Sequence, residues 1–259
     1  MNPEQQRIAA LEAELAALRT EMQDFSYTVS HDLRASLRHI LSYAQLVQED
    51  AGPLLPAEAL GFVHTIADSA RHMGVLMDGL MELSRLGTVA VRLEPLPLQD
   101  LVNAAAAELQ QQHPVRRIDW QVQSDLPLVL ADAALLRAAL LHGLGNAVKF
   151  TAHQELQQIS VSAHIRADPA QTQAAGAHGA LWVRLQIQDN GAGFNPALQA
   201  KLFKPFSRLH TTKQFPGIGM GLALTRKLLE RMGGQAQAVG VVDGGCTLSL
   251  VLPAALPGS

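Results

Sequence analysis

Ile8, Leu11, Leu15, Leu18, Met22 and Phe25 step along the chain by 3, 4, 3, 4 and 3 residues. That is a heptad seam, with Glu, Gln and Arg on the outer positions. The seam is short and marginal alone, but no Pro or Gly interrupts it, and it runs on as one helical pattern to about residue 49. The spacing predicts one long helix over 5–49. The first breaker is "AGPLLP" at 51–56. Beyond it Leu60, Val63, Ile66, Ala70, Met73, Met77, Leu80 and Ser84 again step by three or four, which predicts a second helix over 57–86. Two long helices joined by a short turn make a helical hairpin. A hairpin of this length cannot bury its own seam, whereas two hairpins paired into a four-helix bundle can. A homodimer through the hairpin is the expectation.

The remaining length and composition narrow the class. With 259 residues, one large or two modest domains fit. Apolar residues make up 48%, enough for a core. The net charge is -3 with no block of like charge, so the basic stripe of a nucleic-acid surface is missing and no nucleic-acid partner is expected. Cys246 is the one cysteine, which excludes a disulfide framework and points to a reducing compartment. It lies in the alternating stretch "CTLSLVL" and reads as a small core residue. The opening "MNPEQQRIAALEAEL" has no signal-peptide core, and no apolar run is long enough to span a bilayer. A cytoplasmic chain with no direct membrane span is expected.

Near Gly87 the composition changes. "GTVAVRLEPLPLQD" brings prolines and β-formers, followed by predicted helices at 98–112, 132–150 and 221–233. Strands are predicted at 117–122, 127–130, 157–166, 180–188, 235–241 and 246–252. Between the middle pair lies the small, polar stretch "ADPAQTQAAGAHGA", read as a hairpin insertion. This mixture predicts an α+β layer sandwich.

Three stretches in this half carry chemistry. "HGLGNAVKF", 142–150, ends a helix and places Asn146, Lys149 and Phe150 on one face: an amide oxygen, an ammonium and a ring. "DNGAGF", 189–194, follows a strand and by itself signals only a turn. "GIGMGLAL", 217–224, is a glycine triplet opening a helix, where free N–H groups suit a polyphosphate. It is not a dinucleotide fingerprint, since no strand precedes it, nor a P-loop, since no Gly-Lys-Ser/Thr follows. In the first half, "FSYTVSHDLRASLRHI", 25–40, carries His31 between a serine and Asp32.

In this order the stretches resemble the sensor histidine kinases of two-component systems, with their GHKL-type ATP-binding domain. "NAVKFT" resembles the N box, "DNGAGF" the G1 box, "KLFKPFSRL" the F box and "GIGMGLAL" the G2 box. "FSYTVSHDLRASLRHI" resembles the H box, in a form most similar to phytochrome-type kinases, and "SRLG" at 84–87 the usual end of the second bundle helix. The resemblance implies a lead-in coiled coil at 1–24, a dimerisation and histidine-phosphotransfer hairpin at 25–87, and a Bergerat-type catalytic domain at 92–254.

It also implies residue roles. His31 would accept the γ-phosphoryl group of ATP, with Asp32 fixing the imidazole tautomer and Arg34 pairing with the incoming phosphate. His39, His64 and His72 are read as structural or solvated. Asn146 would ligate Mg²⁺ through its amide oxygen. Lys149 would meet the phosphates, Phe150 would lie against adenine, and Asp189 would accept the adenine amino group. Gly191 and Gly193 would keep the backbone clear of the base. Gly217, Gly219 and Gly221 would wrap the phosphates and Arg208 would contact the γ-phosphate. Residues 194–216 would form the lid, with Phe203 and Phe206 packing it. The cofactors implied are ATP and Mg²⁺. The partners implied are a second copy, a response-regulator receiver domain, and an upstream sensor domain or sensory partner.

Three positions depart from the family pattern. His142 stands where a second N-box asparagine is usual and is an auxiliary ligand at most, which predicts weaker Mg-ATP binding. Ala35 stands where bifunctional members carry Thr or Asn, which predicts weak phosphatase activity. Ser36 stands where a helix-bending proline is usual, which predicts a straighter helix. Two rival readings are a non-catalytic dimeric scaffold or phosphorelay protein with a degenerate ATP site, and a GHKL ATPase of the gyrase, chaperone or mismatch-repair type. The upstream "SHDLR" hairpin argues against the ATPase.

Overall fold

The computed structural model describes residues 3–87, 89–167 and 181–255. The chain divides into two compact units, Met1–Val89 and Ala90–Ser259.

The first unit is a helical hairpin, α1 (Pro3–Leu46) and α2 (Ala57–Arg85). The helical run of α1 ends differently from the expectation: Val47–Ala51 is wound as a π-helix and Gly52–Leu54 as a 3-10 turn. Pro53 has no N–H to return to the preceding turn, so the α ladder stops before it. Leu37, Ala44, Ala67, Ala70 and Met81 are buried between the two helices. Small residues at this seam let the helices approach closely. Much of the apolar periodicity remains outside: Ile40 is 40% and Met22 66% exposed, and Leu11, Leu15, Leu33, Phe62 and Ile66 fall between these two. One hairpin therefore buries only part of the pattern that generated it. Ser36 leaves α1 continuous, its hydroxyl donating to the carbonyl of Asp32 at 3.3 Å. The Phe25 side chain, at the end of the heptad seam, lies outside the described residues.

In the second unit the elements run β1 (Glu94–Pro97), α3 (Leu98–Gln112), β2 (Ile118–Val122), β3 (Leu128–Ala131), α4 (Ala133–Phe150), β4 (Gln157–Ala167) and β5 (Leu181–Asp189). A 3-10 turn at Pro196–Lys201 follows, then α5 (Gly221–Arg231), β6 (Gln235–Gly240) and β7 (Cys246–Pro253). Five strands form a mixed sheet in the order β2-β4-β5-β7-β6, in which only β2 and β4 pair in parallel. β1 and β3 make a separate antiparallel pair. The predicted insertion between β4 and β5 falls on 168–180, outside the described residues.

Helix α4 packs between α3 and α5 and lies on the sheet. Leu136, Leu140 and Leu144 are fully buried at i, i+4 and i+8, the stripe that faces a core. Gly143 lets α4 come down on the sheet, since a Cβ there would stand 3.0 Å from Leu248 Cδ2 and 3.1 Å from Ile187 Cδ1. The helix begins at Asp132, whose carboxylate caps it by accepting the backbone N–H groups of Ala134 and Leu135 at 3.0 and 3.1 Å. Its other oxygen accepts Arg92 N–H at 3.0 Å, and this bond above all holds the carboxyl below its usual range. β1 is the element the sequence did not announce. Its "EPLP" carries two prolines, tolerable here because β1 has a partner on one side only.

Candidate functional site

The end of α4, the end of β5 and the start of α5 converge in the second unit, and each brings one of the singled-out motifs. Ala192 N–H donates to the carbonyl of Phe150 at 3.1 Å, which closes the "DNGAGF" turn onto the last turn of α4. Gly191 is needed for that approach, because a Cβ would sit 2.5 Å from the same oxygen. Gly193 has φ +57, and a Cβ there would lie 1.8 Å from Val241 O. The crowding at both glycines comes from the protein's own backbone, so the turn needs them whatever it holds.

The glycine triplet faces α4. A Cβ at Gly221 would stand 3.3 Å from the Asn146 amide nitrogen, and one at Gly217, which has φ +127, 3.6 Å from Lys149 Nζ. Gly219 is pinned from the other side, where a Cβ would meet Ser207 O at 2.4 Å. The triplet is thus held between the side chains of α4 and the segment bearing Arg208. Lys149 Nζ lies 4.4 Å over the Phe150 ring. Burial, and then the Arg208 guanidinium, hold the lysine below its ordinary pKa. Two cations near each other beside a glycine loop make a site for a polyanion.

Asp189, at the end of β5, is 8% exposed. Its Oδ1 accepts Gly191 N–H at 2.9 Å. Burial pushes its carboxyl up to about 6, against the lowering effect of the Gly191 and Cys246 backbone N–H groups. The Cys246 thiol is pushed up to about 12, by burial first and the Asp189 charge second, so it stays un-ionised. His142 lies one turn before Asn146 on α4 and is half-buried.

The segment after β5 holds residues that sequence reasoning missed. Phe215 is 5% exposed. Its ring meets Phe150, His153 and His210 at centroid distances of 5.1 Å each, and His210 lies 5.5 Å from Phe150. His210 Nε2 bonds Gly193 O at 2.9 Å and His153 Nε2 bonds Gln214 O at 3.1 Å. A carbonyl only accepts, so each Nε2 carries the proton in these bonds. Arg208 donates to Thr212 Oγ1 at 2.7 Å and to Phe215 O at 2.9 Å, bracing the same segment. The signal available in the sequence was one phenylalanine between two basic residues and a proline, too weak to single out. Phe194, expected to open the lid, is instead 5% exposed and packs under Gly240. Phe206 is 40% exposed with φ +60, and Phe203 lies against the Arg226 guanidinium at 5.9 Å.

In the hairpin unit His31 and Asp32 are exposed, and His31 Nδ1 lies 3.2 Å from Asp32 Oδ1. Since an ionised carboxylate only accepts, Nδ1 bears the proton in that contact, and Nε2 of the neutral ring then has the lone pair. Arg34 donates through Nη2 to Asp78 Oδ1 on α2 at 2.9 Å.

Residues 21–88 match the family described as His Kinase A (phospho-acceptor) domain, and residues 131–256 match the histidine kinase-, DNA gyrase B-, and HSP90-like ATPase family. The chain belongs to the sensor histidine kinases. This histidine kinase chain is 27% identical over 247 residues to Cyanobacterial phytochrome A of Nostoc sp., covering 95% of this chain and 30% of that protein. It is 30% identical over 248 residues to the Circadian input-output histidine kinase CikA of Synechococcus elongatus, covering 89% of this chain and 30% of that protein. Among solved structures, full-length ShkA in complex with AMPPNP superposes with a TM-score of 0.59 at 28% identity, covering 91% of this chain and 47% of that one. The kinase chain spans less than a third of the curated relatives described here. None of its described helices is long and apolar enough to cross a membrane.

Proposed function

We propose that the chain autophosphorylates on His31 with ATP and passes the phosphoryl group to an aspartate of a response-regulator receiver domain. The observation that carries this reading is the convergence of Asn146, Lys149 and Arg208 on the glycine triplet, in a chain whose hairpin presents an exposed imidazole with a free Nε2. Lys149 and Arg208 take the charge of the phosphates, which the protein side otherwise leaves as neighbouring cations. Phe150 offers a ring face to the base, and Asp189, ionised above about pH 6, accepts its amino group. Asn146 would hold Mg²⁺, a hard cation suited to its amide oxygen, which when bound neutralises charge between the phosphates.

At His31, Asp32 keeps Nδ1 protonated and the ring oriented. Nε2 then attacks the γ-phosphorus: the P–N bond forms, the bond to the bridging oxygen breaks, and ADP leaves. Attack by a receiver carboxylate oxygen breaks that P–N bond in turn. The exposed apolar positions of α1 and α2 support dimerisation through the hairpin, with 1–24 as a lead-in coiled coil. The signal reaches it from an upstream sensor domain or a sensory partner, in a cytoplasmic setting. Ala35 offers no hydrogen-bonding group for a hydrolytic water, so phosphatase activity is weak. His142 in place of an amide lowers Mg-ATP affinity.

The test is incubation with γ-labelled ATP and Mg²⁺. Acid-labile, base-stable label that disappears in His31→Ala supports the reading. No label supports a scaffold or relay protein, and phosphate release without label supports an ATPase. Tighter nucleotide binding in His142→Asn tests the auxiliary position.

A further inference from the structure

The ion pair between Arg34 and Asp78 joins the two helices of the hairpin next to the phospho-acceptor position. Arg34 is three residues beyond His31, so on a helix the two side chains are neighbours. Its guanidinium is turned to Asp78, 44 residues away on α2, at 2.9 Å. The two side chains are 45% and 66% exposed. An ion pair this open to water contributes little to stability. The hairpin is held by its buried residues, Leu37, Ala67, Ala70 and Met81 among them, and has no need of an acid at position 78. An exposed, weakly held guanidinium beside the acceptor is instead well placed to change partners. A phosphoryl group on His31 carries nearly two negative charges and three acceptor oxygens, against one charge and two oxygens at Asp78.

We propose that Asp78 is a positioning residue that holds Arg34 in reserve across the hairpin and competes with the His31 phosphoryl group for it. In the unphosphorylated chain Arg34 is neutralised by Asp78. After transfer its N–H groups turn to the phosphoryl oxygens and Asp78 is released to water, so the interhelix tie between α1 and α2 is exchanged for one within α1. The competition sets how much of the chain is phosphorylated at a given ATP to ADP ratio: the stronger the Asp78 hold, the less Arg34 favours the phosphorylated form. The proposal rests on the reading that His31 is the acceptor.

The experiment equilibrates the full chain with ATP, ADP and Mg²⁺ at fixed ratios and measures the fraction of His31 phosphorylated. Asp78→Asn should raise the equilibrium constant for phosphorylation by roughly two- to fivefold, the range open to an exposed pair. Asp78→Glu should restore the wild-type value, and in an Arg34→Gln background Asp78→Asn should have no effect. The gain should also shrink as salt is added. A purely structural role would move thermal stability and leave this equilibrium where it was. Normal labelling of His31 with the same equilibrium in Asp78→Asn overturns this proposal alone. Absence of label in the wild-type chain overturns the acceptor reading and this proposal with it.

Discussion

Asp189 and Cys246 stand opposite each other where β5 pairs with β7, and the Cys246 backbone N–H donates to the Asp189 carboxylate. A carboxylate is thus buried at a sheet end beside a neutral thiol, with two backbone N–H groups as its hydrogen-bond donors. Desolvation of the charged carboxylate outweighs those two bonds, at the expense of the fold.

That expense depends on pH. The folded carboxyl titrates at about 6, above the ordinary value of 3.8. A raised pKa means the contribution to stability is fully present below the unfolded pKa and is lost as pH rises through 6. About two units corresponds to roughly 3 kcal/mol. Urea unfolding of wild type and Asp189→Asn between pH 4 and 7.5 should show the wild type losing stability relative to the variant by up to that amount. ATP affinity should follow the opposite course, falling below pH 6 in the wild type as the acceptor is protonated, and staying level in the variant apart from changes in ATP itself.

Lys149 sits beside the glycine triplet with Arg208 as its charged neighbour. A charge-assisted bond to phosphate is worth about 1.5–3 kcal/mol. Lys149→Gln should therefore weaken ATP binding about 10- to 100-fold, while adenosine binding stays nearly unchanged. Calorimetric titration with both ligands separates the phosphate contribution from that of the base.

Phe215 holds together a segment that hydrogen bonds alone would leave open to water. Phe215→Ala removes the ring that Phe150, His153 and His210 all touch. Truncation of a buried Phe costs about 3–5 kcal/mol where the surroundings cannot collapse. Here the loss should be local. Amide hydrogen exchange across 207–217 should accelerate by more than tenfold, while β5 and β7 keep their protection.

Gly193 and Gly217 are both in the left-handed region, yet their substitutions should differ. A Cβ at Gly193 strikes Val241 O at 1.8 Å, whereas at Gly217 the nearest atom is the mobile end of Lys149 at 3.6 Å. Both carry backbone strain of about 1–3 kcal/mol in a non-glycine residue. Gly193→Ala must in addition displace the turn between β6 and β7, so its melting temperature should fall well below that of Gly217→Ala. Thermal unfolding of the two variants side by side makes the comparison.

Local pattern carried most of the elements. Three-four periodicity marked α1 and α2, and the turn at 51–56 was announced by Gly52 and Pro53, because a helix ladder and its breakers are written within a few residues of each other. The order of the boxes points by itself to Asn146, Lys149, Asp189 and the glycine triplet. β1 escaped, since two prolines hide a strand that needs hydrogen bonds on one side only. The packing of Phe150 with His153, His210 and Phe215 escaped because the four rings lie up to 65 residues apart and share no period.

The sequence by itself determined a hairpin that leaves apolar surface for a partner, a mixed α/β domain, and the residue types that gather at its site. Only the tertiary structure decided that Arg34 is engaged by Asp78, that Gly193 is crowded by Val241, and that Asp189 is buried enough to titrate near 6. The reason is physical. Helix formation and turn chemistry are set by neighbours along the chain, whereas charge pairing, crowding and desolvation depend on what distant segments bring within a few ångströms.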